Sequence, residues 1–79
     1  MEVDSTKLWA SRQFGIAVED IAWYHSGTCY DRIGVKNRVA ADAVAKTVKG
    51  EHVNGGMLHG MELGGITVDP STGIYGVVC

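Results

Sequence analysis

The segment Thr28-Cys29-Tyr30-Asp31-Arg32-Ile33-Gly34-Val35-Lys36 alternates with a period of two. Cys29, Ile33 and Val35 fall on one side and Tyr30, Arg32, Gly34 and Lys36 on the other, the pattern of a β-strand with one buried face. Asp31 interrupts the apolar side, so either the strand begins at an edge or the acid has a partner there. The period then changes. Asn37 suits a helix N-cap, and Arg38 to Lys49 carries good helix formers with Ala41, Val44, Ala45 and Val48 on one stripe, closing at Gly50. A half-buried strand feeding an amphipathic helix makes the fold a mixture of both elements.

Towards the N-terminus, residues 5–14 suit a short helix capped by Asp4 and ended by a left-handed Gly15, with Leu8, Trp9 and Phe14 as its buried side. Between Ile16 and His25 the apolar positions Val18, Ile21 and Ala22, with His25, recur at helical spacing and Ser26-Gly27 would end a helix, so helix is preferred to strand. Beyond Gly50 the helical period is lost. Residues 54–65 hold Gly55, Gly56, Gly60, Gly64 and Gly65; Asn54-Gly55 suits a type I′ turn, which gives a small hairpin or a loop packing Met57, Leu58, Met61 and Leu63 inward. Ile66-Thr67-Val68 and Ile74-Tyr75-Gly76-Val77-Val78 flank Asp69-Pro70-Ser71-Thr72-Gly73, a hairpin in which Pro70 presets the turn and Gly73 permits a positive φ. The expected fold is a single α+β domain over residues 1–79: N-terminal helix or helices, strand, helix, then a C-terminal β-hairpin in a mostly antiparallel sheet.

Seventy-nine residues support one core and a thin margin of stability. Hydrophobic residues are 46% of the chain against 20% charged, which favours self-association as a dimer or larger homo-oligomer. A C-terminal strand carrying Ile74, Val77 and Val78 at a sheet edge would supply the contact. No apolar run approaches the ~20 residues that span a bilayer, and Met1-Glu2-Val3-Asp4 lacks a basic, apolar leader. The expectation is a cytoplasmic protein without membrane contact, in which Cys29 and Cys79 are thiols.

The net charge of −2 argues against a general nucleic-acid binder. Its distribution is uneven: Arg32, Lys36, Arg38, Lys46 and Lys49 face only Asp42 between residues 32 and 49, while both flanking segments are acidic. The leading candidate site is therefore the strand face of Tyr30, Arg32 and Lys36, with Arg38 just beyond and Gly34 leaving room for a ligand. Arg32 would grip a phosphate through paired hydrogen bonds, Lys36 would add a point charge, and Tyr30 or Trp23 would stack on a flat ring. The ordinary alternative is a solvated strand surface in which Arg32 pairs with Asp31 or a remote acid.

Other patterns are weaker. His25, Cys29, His52 and His59 lack the spacing of a zinc set, so no metal is expected. Val18 to Ala22 followed by Ser26-Gly27-Thr28 resembles the start of a helix-turn-helix, but with one residue too many before the turn. The paired glycines fit neither dinucleotide nor P-loop consensus, and no spacing couples Cys29 or Cys79 to a base. The sequence thus points to a non-enzymatic binding module for an anionic small molecule, a nucleotide foremost, needing no cofactor. Its rivals are a protein–protein adaptor or inhibitor with an apolar and acidic surface and, below that, a helix-turn-helix regulator.

Overall fold

The computed structural model describes residues 5–27, 30–51, 57–58 and 61–79. The architecture is α+β. Helix α1 (Ser5–Phe14) leads through a 3-10 turn (Val18–Asp20) to β1 (Ile21–Ser26), β2 (Asp31–Val35) and helix α2 (Arg38–Glu51). Strands β3 (Met57–Leu58), β4 (Met61–Glu62), β5 (Ile66–Val68) and β6 (Tyr75–Val78) follow. The main sheet has the order β1-β2-β6-β5 with every neighbour antiparallel, and β3 pairs with β4 alone. Ile33 and Val35 of β2 and Val77 of β6 turn inward, where they meet Ala41, Val44 and Val48 of α2 and Ala10 and Phe14 of α1 in one core.

Both helices are held by local chemistry at their ends. Gly15 adopts φ 66°, and the Ile16 N–H donates to the Ser11 carbonyl at 3.1 Å, the six-to-one bond of a Schellman ending. The Ser11 hydroxyl donates to the Ile16 carbonyl at 2.6 Å, which fixes the exit of the chain. The buried side of α1 differs from expectation. Ala10 and Phe14, one turn apart, face the core, whereas Leu8 and Trp9 are 38% and 51% exposed. Ala10 has no bulk beyond its methyl and is fully buried, so the helix turns its narrowest side to the core. In α2 the Asn37 Oδ1 accepts the Ala40 N–H at 2.8 Å as an N-cap, and the stripe Ala41, Val44, Ala45 and Val48 is buried as the sequence pattern requires. The helix runs through Gly50 to Glu51 because Gly50 does not take a left-handed conformation.

The segment after Gly15 corrects the helical expectation. Residues 18–20 make one 3-10 turn and Ile21–Ser26 is a strand. The strand lacks a clean two-residue alternation because Ile21 pairs with Val35 and Trp23 with Gly34, so Ala22 is an extra residue, a β-bulge. The bulge lets Ile21 and Tyr24, three apart, both face inward, as they would on a helix. The turn and recognition helix of a helix-turn-helix are likewise replaced, since β1 and β2 occupy those positions.

The C-terminal hairpin forms as read, with Gly73 at φ 73° and its N–H donating to the Asp69 carbonyl at 2.7 Å. Its second strand is not at an edge. β6 lies between β2 and β5, so Ile74, Val77 and Val78 offer no open ladder to a second copy. Within the glycine-rich segment β3 pairs antiparallel with β4, while Asn54-Gly55 lies outside the described residues. Of the four apolar residues expected inward, Leu63 is buried. Gly64, at φ 81°, sits so close to the Lys49 methylenes and the Ala45 carbonyl that a Cβ there would meet Lys49 Cγ at 2.9 Å, which brings this segment against α2. Among the described residues no helix is long and apolar enough to cross a membrane.

Removing the α2 cap by Asn37→Ala is expected to lower unfolding free energy by about 1 kcal/mol with the fold retained. Urea unfolding checks this, and an unchanged midpoint would show that the cap bond contributes nothing.

Candidate functional site

Strand pairing aligns Trp23, Gly34, Gly76 and Thr67 in one row across β1, β2, β6 and β5, on the face opposite α2. Two adjacent glycines leave the middle of that row without side chains. The Trp23 indole fills half of the space by lying over Gly34, where an added Cβ would overlap the ring. Gly76 is buried as well, beneath neighbouring side-chain ends. A Cβ placed there would meet Arg32 Nη2 at 3.2 Å and Thr67 Oγ1 at 3.4 Å, so a guanidinium and a hydroxyl overhang the same point. Trp23, Arg32, Thr67, Ile74 and Gly76, with Val68, Asp69 and Thr72 of the hairpin, line a trough of about 430 Å³. That volume lies in the ~300–1,000 Å³ range usual for small-molecule sites.

The charged lining groups differ in how they are held. The Arg32 guanidinium lies 5.9 Å from the centre of the Trp23 ring, a cation–π contact, and pairs with no acid among the described residues. The Asp69 Oδ1 accepts the Ser71 N–H at 2.9 Å and the Ser71 hydroxyl at 2.7 Å. Those bonds from Ser71 hold its carboxyl below the usual carboxylate range, so it stays charged near neutral pH. His25, exposed beside the trough, meets the Trp23 ring edge-on at 5.0 Å between centroids.

Of the residues expected to bind a ligand, the structure brings Trp23 and Arg32 together and places the others elsewhere. Tyr30 is half-buried against the core, because strand alternation begins only at Asp31. Lys36 lies past the end of β2, with its backbone N–H donating to the Asp20 carbonyl at 2.8 Å. Arg38 opens α2 and pairs with Asp42 at 3.0 Å on the exposed helix surface. Thr67, Asp69, Thr72 and Gly76 were not anticipated. Their only sequence signal is Gly76 within an otherwise β-branched and aromatic strand, and it gains meaning only once Gly76 is known to lie beside Gly34. Of the histidine and cysteine set, Cys29, His52 and His59 lie outside the described residues, and the described ones contain no cluster suited to a metal.

A second polar group closes the inner side of the sheet. The Tyr24 hydroxyl donates to Asp31 Oδ2 at 2.8 Å, so the acid that interrupts the apolar side of β2 is indeed partnered. The Gly27 N–H donates to the same carboxylate at 3.3 Å, and the Cys79 thiol reaches the Tyr24 oxygen at 3.9 Å. Burial first, then the bond to Asp31, pushes the Tyr24 phenol far above its ordinary range. Burial also pushes the Cys79 thiol up, which leaves it protonated and weakly nucleophilic at neutral pH. No family model, curated protein or solved structure matches the chain.

Two outcomes follow from this geometry. Gly34→Ala forces the indole off the sheet and is expected to cost about 1–3 kcal/mol, with a shift in Trp23 emission; an unperturbed spectrum and melting point would contradict the stacking. In an alkaline absorbance titration the Tyr24 phenol should resist ionisation well above the ordinary phenol range. Its folded-state affinity for the proton exceeds that of the unfolded chain. Stability is therefore full below about pH 10 and declines above it, and Tyr24→Phe should flatten that decline.

Proposed function

We propose that this chain is a small non-enzymatic binding module that holds an anionic ligand with a flat ring, a nucleotide foremost, in the trough over Gly76. One observation carries this reading: a guanidinium paired with no described acid lies over Gly76 beside a half-buried indole that lies over Gly34, so a cation and an aromatic ring sit together on adjacent strand positions that have no side chain. Arg32 offers a planar fork of donors to a phosphate or carboxylate. Trp23 offers an aromatic surface already fixed against Gly34, so little side-chain entropy remains to be lost on binding. Thr67 adds a hydroxyl beside the anion position.

A protein-recognising role is the second reading, and the specific observation favouring it is the exposure of Leu8 and Trp9 side by side on α1. Self-association belongs with that surface, since β6 is interior to the sheet.

The test is a two-dimensional amide NMR titration with AMP and with phenyl phosphate. The Gly76 and Thr67 amides and the Trp23 indole N–H should shift together, and Arg32→Ala should abolish the response. Gly76→Ala should weaken binding about tenfold or more while leaving the fold intact, because its methyl contacts at 3.2 and 3.4 Å are tight but involve the ends of two side chains. Trp9→Ala should leave these shifts unchanged. Neither ligand moving those resonances at millimolar concentration would defeat the proposal and leave the α1 surface as the better candidate.

A further inference from the structure

The trough carries its two charges in different places. Arg32 overhangs Gly76, in the row shared with Thr67, whereas Asp69 lies two residues further along the hairpin, about 7 Å of strand rise away. The Asp69 N–H donates to the Ile74 carbonyl at 2.9 Å, so the antiparallel pairing continues to this residue and fixes its place. Ser71 orients the carboxylate, and no described cation neutralises it. The formal charges of the lining residues therefore cancel, and they stand at separate points along the trough. The remaining basic residues expected near the site do not alter this balance, because Lys36 and Arg38 are not among the lining residues and Arg38 is engaged by Asp42.

We infer that the trough selects a nucleoside monophosphate over a polyphosphate, with the single phosphate at Arg32 and the ribose hydroxyls donating to Asp69. This rests on the binding role proposed above and narrows its ligand. A carboxylate covered by a ligand loses water and must receive hydrogen bonds in exchange, which vicinal hydroxyls supply and an apolar or anionic group does not. A phosphate chain extending past Arg32 brings further negative charge into a site with one cation and one fixed carboxylate. The same arrangement accounts for an aromatic surface at Trp23 that sits beside the cation, within reach of a base.

Affinities of AMP, 2′,3′-dideoxyadenosine monophosphate and magnesium-free ATP for the full chain, read from the Gly76 amide shift, test the inference. AMP should bind at least about fivefold tighter than either of the others. Asp69→Asn keeps the Oδ1 acceptor for Ser71, and thus the turn, while removing the charge. It should weaken AMP and strengthen ATP until the difference between them is lost. ATP binding as tightly as AMP, or Asp69→Asn leaving the order unchanged, overturns the inference while the anion-binding role stands. Phenyl phosphate separates the two failures: if it and AMP are both silent, the binding role falls and the ligand assignment falls with it.

Discussion

Antiparallel pairing of Gly34 with Gly76 is the constraint on which the outer face of this sheet depends. Side chains at neighbouring positions in a sheet ordinarily cover the backbone between them, and two facing glycines cannot. The gap must be filled from the side, and here it is filled twice. Trp23, brought opposite Gly34 by the bulge at Ala22, lies down over one glycine, and the Arg32 guanidinium and Thr67 hydroxyl overhang the other at the base of a trough. Without the bulge, Trp23 would point to the opposite face, because a one-residue slip reverses every side chain that follows. One extra residue in β1 therefore sets the position of the indole, and the indole in turn brackets the Arg32 guanidinium.

The bulge also decides what could be learned from the amino-acid order alone. Helix α2 is legible because its stripe repeats over about two turns and Asn37 stands where a cap is needed. The C-terminal hairpin is legible because Pro70 and Gly73 carry strict backbone requirements. β1 is not, since Val18, Ile21, Ala22 and His25 stand at helical spacing, and the bulge at Ala22, which only pairing with β2 reveals, interrupts the two-residue alternation that would have marked a strand. Strand order is hidden for a related reason: the outward and inward sets of β6 are plain, but whether it lies inside the sheet or at its rim depends on partners remote in sequence. For the site, Trp23 and Arg32 were visible as residue types suited to a flat anion. Thr67, Asp69 and Gly76 were not, because they join the trough through register across β6 and β5.

Charge followed a similar course. The basic run from Arg32 to Lys49 reads as one patch in sequence, yet the fold divides it. Arg32 enters the trough, Arg38 pairs with Asp42, and the Lys49 stem covers Gly64. Asp31, which interrupts the apolar side of β2, is kept inside by the Tyr24 hydroxyl and the Gly27 N–H. A carboxylate half-withdrawn from water is tolerated when it accepts such bonds. Tyr24 thereby ties β1 to β2 at the end of the sheet furthest from the bulge, and Trp9 packs edge-on against the same ring at 5.8 Å, linking α1 to that corner.

The outer strands β1 and β5 are poor templates for strand addition, which sets the sheet rim apart from the face on which we propose a binding role. β1 is bulged near its start and β5 is three residues long, ending just before Pro70, both devices that discourage strand addition. A binding surface at the rim would need a long regular ladder. The outer face instead offers a short central floor of glycine bordered by an aromatic, a cation and hydroxyls. Ligand-sized recognition is consistent with so small a domain, because the row from Trp23 to Thr67 spans only four strands at about 4.8 Å each.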